Sequence, residues 1–116
     1  MDEISEINVI QLAEKRESGD QFVLLDVREP NEVAYATVGD WVELAPLSEL
    51  AQNGPDALPD CVRNHFDQEI IVMCHHGARS AQVTAWLQGQ GWTNVTNLAG
   101  GIHAYSMYVD GSVPRY

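Results

Sequence analysis

Residues 70–80 read IIVMCHHGARS, an apolar run that ends in a cysteine and is followed by a short polar loop. The β-branched start predicts a buried strand over Ile70–Met73, and the spacing after Gly77 predicts a helix. The first N–H groups of such a helix lack partners and point back towards the loop. They favour the thiolate form of a cysteine at this position, because the charged sulfur accepts their hydrogen bonds. Cys74 is therefore the candidate nucleophile.

The length and the charge of the chain limit its class. A chain of 116 residues predicts one domain, 1–116, with a core that needs neither disulfide nor metal. The formal net charge of -11 argues against nucleic acid and anionic membranes as partners. Between Ile70 and Val109, Arg79 is the only permanent charge. An anion that approaches the Cys74 loop therefore meets little repulsion from this part of the chain.

The sequence also predicts a compartment. It has no apolar run long enough to span a bilayer, and Met1-Asp2-Glu3 lacks the basic start of a secretion signal. We therefore expect a soluble cytoplasmic protein. In that setting Cys61 and Cys74 are expected as free thiols, with Cys61 a small semi-buried residue in preference to a resolving thiol.

Strands and helices are predicted to alternate along the whole chain. Asn8 and Gln11 have the spacing of a capping box at the start of a helix, and Phe22–Asp26 has the uniform apolarity of a buried parallel strand. Such alternation predicts an α/β domain with a mostly parallel sheet, whose sites lie beyond the carboxyl ends of strands. The other predicted elements are a strand near Ile4–Ile7, a helix from Pro30 to about Ala36, a strand over Trp41–Leu44, a helix over Pro46–Ala51, a loop over Gln52–Asp56, a helix over Leu58–Phe66, a strand over Val95–Leu98 and a helix from Ile102 to about Val109.

Charged residues near the two strand ends have several possible roles. Arg79 lies five positions after Cys74, so its guanidinium either clamps an anionic substrate or pins the loop through backbone carbonyls. Asp26 either holds Arg28 or Arg79, or makes only a local turn hydrogen bond. Gly77 permits a backbone angle that other residues resist, which lets successive N–H groups converge on an anion.

The histidines invite a metal interpretation, which the spacing does not favour. Cys74, His75 and His76 are three possible ligands, but adjacent residues in a tight loop rarely reach one ion, and no other segment offers a clear second pair. We therefore predict no metal and no cofactor. His75 and His76 are expected to flank the mouth of a pocket or to lie in solvent, and His65 and His103 to be surface or packing residues.

Three ordered motifs carry a family resemblance: LLDVREPNE at 24–32, VMCHHGARS at 72–80 and NLAGGI at 97–102. In this order, over nearly the whole chain, they resemble the signature segments of rhodanese-like domains. The resemblance implies a central five-stranded sheet flanked by helices. It also implies sulfurtransferase chemistry, in which Cys74 takes a sulfane sulfur from a donor such as thiosulfate and a thiol, cyanide or protein acceptor removes it.

The same resemblance implies roles for the residues around Cys74. The substrate-binding loop consists of His75, His76, Gly77, Ala78 and Arg79, whose N–H groups stabilise the transferred sulfur. Asp26, Arg28 and Ser80 are supporting residues.

Two other functions stay open at this stage. Phosphatases and arsenate reductases on this scaffold use a loop one residue longer than the six residues from Cys74 to Arg79, so sulfur transfer is favoured. The other alternative is a non-catalytic binding or sulfur-relay module, whose partner recognises the acidic N-terminal half. The chain departs from the family at Trp41 in Gly39-Asp40-Trp41, where Gly-His-Ile is frequent, and at Tyr105, where tryptophan is common; we expect structural roles for both.

Overall fold

The structure, a computed structural model, describes residues 4–116 and contains a five-stranded sheet in the order β1-β5-β4-β2-β3. All four strand pairings are parallel, which confirms the predicted α/β class. The central position of β4 places its carboxyl end in the middle of one sheet edge. The strands are β1 (Glu6–Ile7), β2 (Val23–Asp26), β3 (Glu43–Leu44), β4 (Ile70–Met73) and β5 (Val95–Leu98).

Helices cover both faces of the sheet. The core on one face includes side chains from α3 and α4, and the core on the other face includes side chains from α1 and α5. Within residues 4–116, every helix is too short or too polar to cross a bilayer. The helices are α1 (Val9–Glu17), α2 (Pro30–Tyr35), α3 (Leu47–Asn53), α4 (Ala78–Gln90) and α5 (Gly101–Tyr108).

The alternation of side chains along β4 decides which layer the candidate nucleophile enters. Ile71 and Met73 pack in the core of the α1 and α5 face, whereas Val72 and Cys74 belong to the core of the α3 and α4 face. Successive side chains of a strand point to opposite faces, so this assignment follows from position alone. Cys74 therefore lies on the same side of the sheet as the helix that follows it.

Two local signals of the sequence are confirmed. Asn8 and Gln11 form the predicted capping box: the Asn8 Oδ1 atom accepts from the Gln11 N–H at 2.9 Å, and the Gln11 Oε1 atom accepts from the Asn8 N–H at 2.8 Å. Pro30 is the first residue of α2, where its missing N–H costs no helical hydrogen bond. The capping box marks the start of α1, and Pro30 marks the start of α2.

The connection between α3 and β4 differs from the prediction. The helix expected over Leu58–Phe66 is wrong: this segment consists of isolated turns, and Asn64 has a left-handed φ of 67°, which a continuous helix does not allow. The prediction of a loop over Gln52–Asp56 is wrong as well, because α3 continues to Asn53 and a 3-10 helix spans Gly54–Ala57.

The third strand is also shorter than predicted, since only Glu43 and Leu44 pair with β2. Trp41 packs edge-on against Phe22 with ring centroids 6.2 Å apart, and the Arg16 guanidinium lies 4.2 Å from its ring. Tyr105 is 7% exposed in the core of the α1 and α5 face. The structural roles expected for Trp41 and Tyr105 are therefore confirmed.

Candidate active site

Cys74 follows the last residue of β4 and is 1% exposed. Its Sγ atom accepts a hydrogen bond from the Gly77 N–H at 3.1 Å. Gly77 has a φ of +113°, a left-handed conformation that turns the loop into α4. The predicted positive φ is thus confirmed, and one main-chain donor of the loop is aimed at the sulfur.

The backbone of the loop is held from behind by α5. The Ile102 N–H donates to the Cys74 carbonyl at 2.9 Å, and the His103 N–H donates to the His75 carbonyl at 3.1 Å. Gly101 makes this approach possible, because a Cβ atom there would collide with both carbonyl oxygens. The first turn of α5 therefore sets the position of Cys74, the candidate nucleophile.

Ser80 fixes the other end of the loop. Its side chain is fully buried, and its Oγ atom lies 2.6 Å from the Asn97 Oδ1 atom of β5. The Asn97 Nδ2 atom in turn donates to the Gly77 carbonyl at 3.4 Å. Ala78, which opens α4, is exposed. Ser80 thus connects the loop to the neighbouring strand, as a supporting residue would.

Asp26 pairs with Arg28, which answers the question left open by the sequence. The Arg28 Nη2 atom lies 2.7 Å from Asp26 Oδ2, and the Arg28 Nε atom lies 3.0 Å from Oδ1. Both side chains are buried, and Arg28 Nη2 also donates to the Ala36 carbonyl at 2.8 Å. Burial opposes the charge of Arg28, but the hydrogen bonds to Asp26 and Tyr116 outweigh it and raise its pKa.

Arg79 has a partner that the sequence did not reveal. Its Nη1 and Nη2 atoms donate to the two carboxylate oxygens of Glu32, at 2.7 and 2.9 Å. Of the two roles predicted for Arg79, pinning the loop through backbone carbonyls is wrong, because the guanidinium donates to Glu32 instead; clamping an anionic substrate stays a prediction. Hydrogen bonds from Arg79 lower the pKa of Glu32 to about 2, and Glu32 in turn raises the pKa of Arg79. This ion pair connects the start of α4 to α2.

Glu32 was identifiable in part from its position in the sequence. It is the third residue of α2, and its Oε2 atom also accepts from the Glu29 N–H at 2.9 Å. A glutamate two positions after a proline that opens a helix is a typical capping residue. Its link to Arg79 needs the fold, since 47 positions separate the two residues.

Tyr116 joins the two ion pairs. Its hydroxyl accepts from the Arg28 Nη1 atom at 2.9 Å and donates to the Glu32 Oε1 atom at 3.1 Å. Its ring stacks on the His75 imidazole, with centroids 3.9 Å apart and an interplanar angle of 7°. No local signal in the sequence indicates a role for Tyr116, because its partners lie far away along the chain.

The structure places three histidines side by side. The imidazole centroids are 3.9 Å apart for His75 and His76, 4.7 Å for His76 and His103, and 6.1 Å for His75 and His103. No second pair of ligands was expected from another segment, and the structure adds a single histidine, His103, which the contact between α5 and the loop brings beside His75 and His76. Burial, followed by the neighbouring His76, lowers the pKa of His75.

Both cysteines are free, as predicted, but Cys61 is exposed and not semi-buried. Its Sγ atom lies 3.6 Å from a carboxylate oxygen of Glu43. Desolvation of the thiol and the Glu43 charge raise the pKa of Cys61, which disfavours a reactive thiolate. Cys61 therefore suits a control position better than a catalytic one.

The sequence of the chain matches a known protein family. The family model described as the rhodanese-like domain matches residues 9–108. The chain belongs to the rhodanese-like domain family. This confirms both the resemblance seen in the three sequence motifs and the fold that it implied.

Individual relatives of this rhodanese-like domain agree with that assignment. The chain is 37% identical to rhodanese-like/PpiC domain-containing protein 12, a chloroplast protein of Arabidopsis thaliana, over 97% of this chain but only 38% of that protein. It is 30% identical to a sulfurtransferase of Allochromatium vinosum, over 90% of this chain and 91% of that one. A human single-domain sulfurtransferase of known structure has a TM-score of 0.73 and 25% identity, covering 89% of this chain and 96% of that chain. Two of these relatives are named as sulfurtransferases, which supports the interpretation of this chain as an enzyme of the rhodanese family.

Because of the ion pair between Arg79 and Glu32, we expect the free energy of unfolding of this rhodanese-like domain to fall at acid pH. We expect Glu32→Gln to lower the free energy of unfolding by about 1 kcal/mol at pH 7, because a partly exposed ion pair contributes modestly. The Glu32 pKa is below its ordinary value of 4.5, so its contribution is complete above that value and is lost as the pH falls towards about 2. Urea unfolding from pH 7 to the acid limit of the fold measures this difference.

The matched control is Glu14→Gln, which removes an exposed carboxylate from α1. It should change the stability little at either end of the pH range. A Glu32→Gln deficit that stays constant as the pH falls, or that is absent at neutral pH, would contradict the stabilising role of the pair.

Proposed function

We propose that this rhodanese-like domain is a sulfurtransferase in which Cys74 carries sulfane sulfur as a persulfide. The observation that carries the proposal is the position of the Cys74 Sγ atom, at the carboxyl end of the central strand and 3.1 Å from the Gly77 N–H. The N-terminus of α4 adds its partial positive charge to that donor. Negative charge on the sulfur is therefore stabilised.

The chemistry is a double displacement. The Cys74 thiol loses its proton to solvent, and the thiolate attacks the outer sulfur of a donor such as thiosulfate. A new sulfur–sulfur bond forms on Cys74, while the sulfur–sulfur bond of the donor breaks and sulfite leaves with the electron pair. A thiol, cyanide or protein acceptor then attacks the outer sulfur, and the Cys74 thiolate departs.

The burial of Cys74 suits a carrier of a single sulfur atom. Because Cys74 as a residue is only 1% exposed, its Sγ atom is poorly placed to meet a large partner directly. A persulfide extends the side chain by about 2 Å, the length of a sulfur–sulfur bond. The outer sulfur can thus reach towards an acceptor while the attachment point stays covered.

The acidic charge of the chain favours a particular kind of acceptor. With a formal net charge of -11, the domain attracts a basic protein surface and repels acidic ones. We therefore propose that a physiological protein acceptor is basic where it docks. We also propose that transfer takes place in the cytoplasm.

Mass spectrometry of the intact protein tests the proposal. Reduced protein is incubated with thiosulfate and, separately, with a low-molecular-weight persulfide. We expect the wild type and Cys61→Ser to gain the mass of one sulfur atom and to lose it again on addition of cyanide. Cys74→Ser should gain none.

Two outcomes would overturn the proposal. In one, the wild type gains no sulfur from either donor; in the other, Cys74→Ser gains as much as the wild type. Assay of an aryl phosphate in parallel tests the phosphatase alternative, which the loop of six residues from Cys74 to Arg79 disfavours. Hydrolysis that depends on Cys74, without sulfur loading, would replace sulfur transfer by phosphate chemistry.

A further inference from the structure

Three imidazoles from two segments meet beside the Cys74 loop. His75 and His76 belong to the loop, and His103 lies in the first turn of α5. A hydrogen bond from the His103 N–H to the His75 carbonyl, 3.1 Å long, holds the two segments in register. One nitrogen from each of the three rings lies within 4.8 Å of the others.

Two of these rings carry a nitrogen whose hydrogen bonding is unexplained. The His75 Nε2 and His103 Nδ1 atoms are buried, and neither has a hydrogen-bond partner within the part of the chain that the structure describes. Buried polar atoms of native proteins almost always have a partner. An imidazole nitrogen that lacks a protein partner is available as a ligand, since its lone pair can bind a metal ion.

We infer that His75, His76 and His103 bind one divalent transition-metal ion of the zinc type. Imidazole nitrogen suits zinc, copper and nickel, whereas magnesium and calcium require oxygen ligands, which this cluster lacks. Three histidines and one open position are an established arrangement for zinc.

Binding of one ion requires the ring of His76 to turn, because the His75 and His76 rings lie with centroids 3.9 Å apart and planes at 34°, and imidazole lone pairs lie in the ring plane. Tetrahedral zinc with bonds of about 2.0–2.1 Å places ligand nitrogens about 3.3 Å apart, somewhat closer than the present limit of 4.8 Å. His76 is exposed, so its ring can rotate towards the other two. The His75 ring stacks on the Tyr116 ring with centroids 3.9 Å apart, and this contact holds the imidazole in its orientation.

A bound ion would lie on the loop that carries the proposed sulfur site. His75 directly follows Cys74 in the chain, and His103 and Ile102 hold the carbonyls of His75 and Cys74. We therefore expect zinc to slow sulfur loading by obstructing the loop. This consequence rests on the proposed function, but the binding of the ion does not.

Calorimetric titration with Zn²⁺ alone tests the binding site. The protein is reduced and freed of metal by chelation, and His103→Ala is compared with His65→Ala, which removes an exposed histidine outside the cluster. We expect one Zn²⁺ per chain and a roughly tenfold or greater loss of affinity in His103→Ala, since even outer-shell partners contribute about 10–100-fold. His65→Ala should bind as the wild type does, and Cys74→Ser should retain the site.

A second variant and a second readout keep the test independent of folding. His76→Ala alters an exposed ring, so it should fold normally and still lose affinity. Histidine side-chain nitrogen resonances of His75, His76 and His103 should shift together when Zn²⁺ is added. Absence of Zn²⁺ binding, equal binding by His103→Ala and the wild type, or loss of binding only in Cys74→Ser would each overturn the inference.

Discussion

Asp26→Asn is expected to lower the free energy of unfolding by about 3–5 kcal/mol, because it leaves the Arg28 charge buried without its counter-ion. Both side chains are almost completely buried, at 1% and 0% exposure, and three hydrogen bonds join Arg28 Nε and Nη2 to the carboxylate. Asparagine keeps the volume but turns an NH₂ group towards a guanidinium donor. A loss of this size is a large part of the stability of a small domain. Urea unfolding at pH 7 measures it.

Asp20→Asn is the control of the same chemistry at an exposed ion pair. The Asp20 carboxylate lies 3.2 Å from the Lys15 Nζ atom, and its side chain is 48% exposed, so the expected loss is below about 1 kcal/mol. The double variant Asp26→Asn with Arg28→Met should recover part of the loss, since it removes the stranded charge. Equal losses in Asp26→Asn and Asp20→Asn would show that the buried pair does not stabilise the fold.

The elements with strong local signals could be predicted from the sequence. The apolar run of β4 and the capping box of Asn8 and Gln11 both depend on neighbours within four residues, and the structure contains both. The segment Leu58–Phe66 lacked such a signal, and its course depends on the left-handed backbone of Asn64. Apolar spacing does not reveal an αL residue other than glycine, which explains the wrong helix.

The same distinction separates the predicted from the unpredicted parts of the site. Cys74 and Gly77 interact across three positions, so their geometry follows from the strand, the loop and the helix. Glu32 and Tyr116 reach the site from 47 and 88 positions away from their partners Arg79 and Arg28. Contacts of that range depend on the order of strands and on the course of the tail, which periodicity does not encode.

The Tyr116 hydroxyl connects two ion pairs in different parts of the site into one hydrogen-bond network. Asp26 and Arg28 lie at the end of β2, while Glu32 and Arg79 join α2 to α4, and the Tyr116 hydroxyl bonds to Arg28 and Glu32. Burial, which outweighs the hydrogen bond from Arg28, raises the pKa of Tyr116, so the hydroxyl keeps the proton that it donates to Glu32. The position of Arg79 is therefore coupled to the buried pair at the neighbouring strand.

Gly101→Ala is expected to slow sulfur loading of Cys74 on the order of 100-fold, because a displacement of about 1 Å in a catalytic group has effects of that size. A Cβ atom on Gly101 would collide with the Cys74 and His75 carbonyl oxygens, and these are backbone atoms that cannot rotate aside. Gly101 also has a φ of +58°, which costs a further 1–2 kcal/mol or so for a residue with a side chain. The loop must then move away from α5 and carry the sulfur with it.

The matched control is Gly89→Ala, a substitution within α4 where an added Cβ atom meets no atom within 4 Å. Alanine favours a helix over glycine, so this variant should be as stable as the wild type or slightly more stable, with normal loading. Initial rates of sulfur uptake, followed by mass, are compared with urea unfolding of the same samples. Normal uptake in a folded Gly101→Ala would show that α5 does not position Cys74 for sulfur uptake. Slow uptake in a protein that is still folded means that the backbone contact between α5 and the loop sets the reactivity of Cys74.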